Sequence, residues 1–97
     1  MSNSVIMKTD NVSVRIMELD HGTATDWHFH TQVVDFIVCL TGVLQVERRD
    51  PAEKTQLLPG QHLQLNSMLV HRVNNIGDGK AEYLLVQGVG IYDFCKV

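Results

Sequence analysis

The chain has 97 residues, of which 44% are apolar and 20% charged, which is the size and composition of one folded domain. No apolar run approaches the 18 residues that a membrane-spanning helix needs, so we expect no membrane insertion. Eight basic and eleven acidic side chains give a net charge of −3, and the basic ones are scattered apart from Arg48-Arg49, which argues against nucleic acid as a partner. We therefore expect a single domain over residues 1–97.

Short alternating or β-branched segments predict strands along most of the chain. In chain order the predicted strands are Val12 to Met17, Val33 to Leu40, Val43 to Glu47, Thr55 to Leu58, His62 to Leu65, Leu69 to Val73, Ala81 to Gln87 and Ile91 to Phe94. Turn signals such as Asp50-Pro51 and Pro59-Gly60 separate them, and no amphipathic helix of ten residues is found. Seven or eight strands at this spacing predict an all-β sandwich or small barrel.

Cysteine usage and the N-terminal residues predict the compartment. Cys39 and Cys95 are too few for a disulfide framework, and Met1 to Ser4 lack the basic and long apolar regions of a signal peptide. We therefore expect a cytoplasmic protein, with Cys39 as a small buried hydrophobic residue of its strand.

The histidines carry the chemical signal. His28 and His30 are two residues apart, and such side chains on extended backbone point to the same side. Asp35 opens the next strand and His71 lies in a later one, so three imidazoles and one carboxylate converge if these strands pack together. Such a set suits a divalent transition metal, because imidazole suits Fe, Ni, Cu and Zn and a carboxylate extends the choice to Mn.

The two other histidines are expected to stay outside this ligand set. His21 lies in a predicted loop, and His62 should alternate away from Leu63 and Leu65. Both are therefore predicted to be solvated side chains.

Residues 22–42 resemble the first motif of the cupin superfamily. That motif runs Gly, five residues, His-x-His, three or four residues, an acid, six residues, Gly. It is matched by Gly22, His28, His30, Asp35 and Gly42. The family usually has Glu at the acidic position, and Asp35 is one methylene shorter. It therefore either ligates the metal directly, binds it through water, or holds a histidine in its tautomer.

Residues 60–75 resemble the second cupin motif, which runs Gly, five residues, Pro-x-Gly, two residues, His, three residues, Asn. Gly60, His71 and Asn75 match it, whereas Asn66 stands where Pro is usual and Met68 where the inner Gly is usual. Methionine resists the positive φ that glycine accepts. The shape of the turn before His71 is therefore left open.

The resemblance implies a cupin-type antiparallel β-barrel or jelly roll. It also implies a divalent metal (Fe, Mn, Ni or Zn) on three histidines and at most Asp35. Small single-domain cupins act as dioxygenases, isomerases or lyases, so we expect a metal-dependent enzyme of one of these types. The alternative is a non-catalytic module that binds a metal or metabolite. Since single cupin domains commonly pair, and apolar strands such as Val5 to Met7 need cover, we also expect a homodimer.

Strand parity predicts the wall of the ligand pocket. Side chains an even number of positions from Asp35 or His71 on the same strand face the same side as that ligand. They are Val33, Ile37, Cys39, Leu69 and Val73. Arg72 should point away from His71, so no inward arginine is expected. Such an apolar wall favours a small, mostly neutral oxygenated ligand that is bound chiefly through the metal.

Overall fold

A computed structural model describes residues 2–97, and the described residues form ten β-strands and no helix. The strands are β1 (Ser2–Lys8), β2 (Val12–Leu19), β3 (His28–Phe29), β4 (Val34–Thr41), β5 (Leu44–Arg48), β6 (Glu53–Leu57), β7 (His62–Leu65), β8 (His71–Asn75), β9 (Ala81–Gly88) and β10 (Cys95–Lys96). Within the described range there is thus no helix that could span a bilayer. The predicted all-β fold is confirmed.

The strands form two five-stranded antiparallel sheets. Sheet A has the order β1-β2-β9-β4-β7, and sheet B has the order β10-β3-β8-β5-β6. The chain passes repeatedly from one sheet to the other, which is the winding of a jelly roll. The predicted jelly roll is therefore confirmed, although over residues 2–97 the two sheets are not hydrogen-bonded into one closed barrel.

The core lies between the sheets. Its buried apolar side chains are Met17, Leu19, Val33, Ile37, Cys39, Leu44, Val46, Leu57, Leu65, Val73, Ala81, Tyr83 and Leu85. Along β9 the inward residues run from Ala81 to Gln87, and Gln87 pairs with Asp35 on β4. The inward faces therefore change from apolar to polar toward the end of the sandwich that contains Asp35.

Two differences between the predicted and the observed strands lie next to the histidines. Ile91 to Phe94 is irregular, because the amide of Ile91 donates to the side chain of Gln32 and no strand pairs with this segment. The strand β10 that follows is only two residues long and pairs with β3. The predicted strand Leu69 to Val73 begins two residues later, at His71, because a turn precedes it.

That turn keeps its backbone shape despite the departures from the motif. Met68 has a φ of 68°, which is the left-handed region, and its amide donates to the carbonyl of His30 at 2.7 Å. Its side chain is 61% exposed, so only the backbone is strained, at a cost of roughly 1–2 kcal/mol for an L-residue. Methionine therefore occupies the conformation that glycine would adopt without strain.

Candidate metal centre

The four predicted site residues lie together between the sheets. His28 on β3 is the direct cross-strand partner of His71 on β8, His30 follows the end of β3, and Asp35 faces them from β4 of the other sheet. All four are buried, and one potential ligand atom from each lies within 4.8 Å of those of the others. The cluster could therefore hold one ion.

Main-chain carbonyls fix the orientation of all three imidazole rings. Nδ1 of His28 lies 2.6 Å from the carbonyl of Asp26, and Nδ1 of His30 lies 2.6 Å from the carbonyl of Asp93. Nδ1 of His71 lies 2.8 Å from the carbonyl of Leu69. A carbonyl only accepts, so each Nδ1 carries a proton and donates it. In the neutral ring Nε2 then keeps its lone pair, which is the tautomer that a metal ligand needs.

Asp35 lies on the inner side of these rings. Its Oδ2 is 3.2 Å from Nε2 of His30 and 3.1 Å from Nε2 of His71. Ligands about 2.1 Å from one ion lie about 3.0 Å apart when they are neighbours in an octahedron, so these separations suit atoms that share an ion. A carboxylate that only oriented the rings would contact Nδ1, but the carbonyls already occupy those positions.

Burial and hydrogen bonding act in opposite directions on these groups. Burial would raise the pKa of Asp35, but its contacts with the ring nitrogens of His30 and His71 and the hydrogen bond from Gln87 outweigh burial and hold that pKa well below its usual range. Burial lowers the pKa of His28. Burial would also lower the pKa of His30, but the hydrogen bond and the charge of Asp35 outweigh burial and raise the pKa of His30. The carboxylate is therefore charged, and a cation bound to Nε2 of His30 would compete with a proton for that atom.

A cavity of about 170 Å³ opens beside the cluster. The predicted wall residues Ile37 and Val73 line it, whereas Val33, Cys39 and Leu69 do not. The remaining lining residues outside the cluster are Asn3, Arg15, Met17, Thr25, Asp26, Tyr83, Leu85, Gln87, Tyr92 and Phe94. The wall is therefore more polar than parity around the histidines predicts.

The expectation that no arginine points inward is wrong. Arg15 lines the cavity because β2 turns Met17 and Leu19 into the core, and Arg15 shares their parity. The sequence contained this signal in the alternation of residues 15, 17 and 19. Arg72 does point away from His71, and its Nε donates to Glu47 on the outer side.

Arg15, Gln87 and Asp35 form a row across three neighbouring strands of sheet A. Arg15 Nη2 donates to Gln87 Oε1 at 2.6 Å, and Gln87 Nε2 donates to Asp35 Oδ1 at 2.9 Å. Cross-strand register places Gln87 opposite Asp35. The carboxylate is therefore held by side chains, and this row ends at the arginine in the cavity.

The segment before β10 covers the imidazoles. The ring of Phe94 stacks on His28 with centroids 4.2 Å apart, and Tyr92 lies 5.5 Å from His30. The carboxylate of Asp93 accepts hydrogen bonds from the amide and hydroxyl of Thr31 at 2.8 and 2.5 Å. Sequence reasoning predicted a strand here and missed this role, although the paired aromatic residues two apart were a visible signal.

The other histidines lie outside the cluster, as predicted. His21 is exposed, with Nδ1 2.9 Å from the carbonyl of Gly77. His62 is exposed on β7, with its ring 5.2 Å from that of Phe36. Among the described residues, neither belongs to a group that could hold an ion together with the four.

Comparison with known proteins agrees with the fold. The sequence model of the family described as Cupin domain matches residues 15–87. No protein of curated function matches the chain in sequence.

Solved structures share its architecture at low sequence identity. One is an uncharacterized conserved protein with a double-stranded β-helix domain from Klebsiella pneumoniae, with 20% identity, a TM-score of 0.87 and coverage of 99% of this chain and 78% of that one. An oxalate oxidase has 16% identity and a TM-score of 0.82 over 90% of this chain and 46% of that one. A sugar phosphate isomerase of the cupin superfamily from Silicibacter pomeroyi has 17% identity and a TM-score of 0.73, over 89% and 68%. Such likeness establishes a common fold, which supports many chemistries.

Proposed function

Because the chain belongs to the cupin domain family, we propose that it is a small metal-dependent cupin. In this proposal a divalent transition metal binds to Nε2 of His28, His30 and His71 and to the carboxylate of Asp35. The observation that carries it is the fixed orientation of the rings. Each Nδ1 donates to a main-chain carbonyl, so Nε2 is the nitrogen of each ring that would bind a cation.

The donor set suits Fe, Mn, Ni or Zn, since it combines three imidazoles with one carboxylate. Four protein ligands leave about two positions of an octahedral ion for a substrate and water. When bound, such an ion supplies a Lewis acid that polarises a substrate oxygen or lowers the pKa of water. The chain's own contribution is to hold the four donors and to cover them with Phe94 and Tyr92.

The proposed activity is that of a dioxygenase, isomerase or lyase on a small oxygenated molecule. Supporting it is a cavity of about 170 Å³ that adjoins the donors, so a small ligand reaches an open coordination position. An oxalate oxidase and a sugar phosphate isomerase carry the same fold. The fold therefore accommodates both kinds of reaction and does not distinguish between them.

A test begins with metal analysis of protein purified without a nickel column, alongside His71→Ala and the exposed control His62→Ala. We expect about one metal per chain in the wild type and in His62→Ala and almost none in His71→Ala. Equal metal content in all three would overturn the proposed site. Substrate trials under air and under nitrogen then separate oxygen-dependent chemistry from isomerase or lyase chemistry.

A second candidate is a non-catalytic module that binds a metal or a metabolite. It is favoured by the state of Tyr83, one of the two tyrosines that line the cavity, because burial raises the pKa of Tyr83 well above its usual range and keeps that phenol protonated. Asp26, whose side chain is exposed, is instead paired with Lys96 at 3.4 Å. Stoichiometric metal with no turnover of any tested substrate would favour this candidate.

We also propose that the chain forms a homodimer in the cytoplasm. Strand β1 has a hydrogen-bonded neighbour on one side only, and its residues Val5, Ile6 and Met7 are each more than half exposed. Pairing with a second copy would cover this apolar edge. Sedimentation at micromolar concentration tests the proposal, and a monomer would contradict it.

A further inference from the structure

Arg15 is the one arginine or lysine among the residues that line the cavity, and the proposed function uses it only to hold Gln87. Its guanidinium lies 5.4 Å from the centroid of the Tyr92 ring and lines the same cavity as the four cluster residues. The aromatic ring and the β-strand hold this arginine beside the proposed metal position. Its location raises the question of which ligand it would contact.

The guanidinium is incompletely partnered. Its one side-chain hydrogen bond among the described residues goes to the neutral amide of Gln87, and its buried Nε has no hydrogen-bond partner in that range. The Nε of Arg48 also lacks a partner, but Arg48 contacts the carboxylate of Glu53 and Arg72 that of Glu47, whereas Arg15 has no carboxylate partner among the described residues. A half-buried guanidinium with a neutral partner attracts an anion, because carboxylates match its fork of N–H donors.

The charges of the proposed centre point in the same direction. A divalent ion with three neutral imidazoles and the carboxylate of Asp35 retains one positive charge, and Arg15 adds a second one at the cavity wall. Asp35, the buried carboxylate of this cavity, is already engaged with His30, His71 and Gln87. A neutral ligand would leave this positive charge uncompensated in a partly enclosed site.

We infer that Arg15 binds the carboxylate of an anionic substrate, a small 2-hydroxy or 2-oxo acid whose other oxygen is directed to the metal position. This inference rests on the proposed function and names its substrate class. It replaces the mostly neutral ligand that the sequence favours. The size agrees, because a cavity of about 170 Å³ suits a small ligand, and lactate and pyruvate are small acids.

The experiment compares lactate with lactamide, its neutral isostere, by calorimetric titration of the zinc-loaded and the metal-free protein. We expect the zinc-loaded wild type to bind lactate about 10- to 100-fold more tightly than lactamide, as a charge-assisted pair predicts. Arg15→Gln should reduce this ratio to about one. Arg15→Lys should keep an intermediate ratio, because it retains charge without the fork of donors. Arg49→Gln, on the exposed face over Trp27, should keep the full ratio.

Zinc stoichiometry and thermal melting of each variant distinguish this role from a structural one. If Arg15 served only to hold Gln87, its replacement would change zinc affinity and leave the ratio of lactate to lactamide unchanged, and that result would overturn the inference. A wild type without preference for lactate would overturn it as well. A wild type that binds no zinc would contradict the proposed function, whereas an Arg15-dependent preference in that metal-free protein would uphold the anion site.

Discussion

The two halves of the proposed metal centre are held in different ways. On sheet B the three imidazoles are oriented by main-chain carbonyls. On sheet A the carboxylate of Asp35 is oriented by side chains, through Gln87 and then Arg15. Main-chain acceptors persist when a side chain is replaced, whereas a side-chain relay is lost with any member. The imidazole half should therefore tolerate substitution of its supporting residues, and the carboxylate half should not.

Removing an imidazole should have the largest effect. His28→Ala, His30→Ala or His71→Ala deletes a strong donor, so we expect metal affinity to fall by about 1,000-fold or more. His21→Ala and His62→Ala are the matched controls and should leave it nearly unchanged. Competition with a chromophoric chelator measures all five. Equal losses throughout would mean that the metal is bound elsewhere.

Changing the carboxylate tests whether Asp35 is a ligand or a support. As a ligand it supplies charge and an oxygen, so Asp35→Asn should lower metal affinity by more than about 100-fold and abolish any activity. Loss of a residue that only supports a ligand typically lowers affinity or activity by about 10- to 100-fold. Asp35→Glu should be tolerated, since Glu is the residue that the family usually has. A loss for Asn no larger than that for Glu would assign Asp35 a supporting role.

The supports of the two halves can be compared directly. Gln87→Leu removes the amide that orients Asp35, and we expect metal affinity to fall by about 10-fold. Asp26→Ala removes an exposed side chain but keeps the carbonyl that accepts from His28, so its metal affinity should match that of the wild type. Calorimetric titration of both variants measures the difference. An equal effect of the two substitutions would contradict the distinction between main-chain and side-chain support.

The turn that precedes β8 should give the smallest effect. Met68→Gly removes an L-residue from the left-handed region, which should raise the free energy of unfolding by about 1 kcal/mol, partly offset by the greater freedom of glycine in the unfolded chain. Metal affinity should not change, because the side chain is exposed. Urea unfolding measures the first quantity. A lower free energy of unfolding for Met68→Gly would contradict this expectation. It would mean that the strain relieved at this position is smaller than the stabilisation lost with the methionine side chain.

The sequence predicted the elements whose patterns are local. The alternation around His28 and His30 and the strand His62 to Leu65 were visible in the chain, and the cluster follows from them together with Asp35 and His71. The role of Asp93 was not predictable in the same way, because its carbonyl meets His30 across 63 positions of sequence and any residue would supply that carbonyl.

Arg15 was missed for a different reason. Val12, Val14 and Ile16 form the more apolar face of β2 in sequence, yet they are only half-buried, while Met17 and Leu19 face the core. The alternation of residues 15, 17 and 19 therefore marked the inward face of β2, against the stronger apolar signal of residues 12, 14 and 16. The alternation of side chains around the histidines predicts which residues of β3 and β8 face the site. It gives no information about β2, which lies in the opposite sheet.

A crystal structure of the zinc-loaded protein, with the anomalous signal of zinc, tests the central claim most directly. We predict one peak between the sheets, about 2.0–2.2 Å from Nε2 of His28, His30 and His71 and from an oxygen of Asp35. A peak at the same place with Asp35 more than about 3 Å away would leave a three-histidine site and contradict direct ligation by the carboxylate. A peak outside this cluster would contradict the proposed centre as a whole.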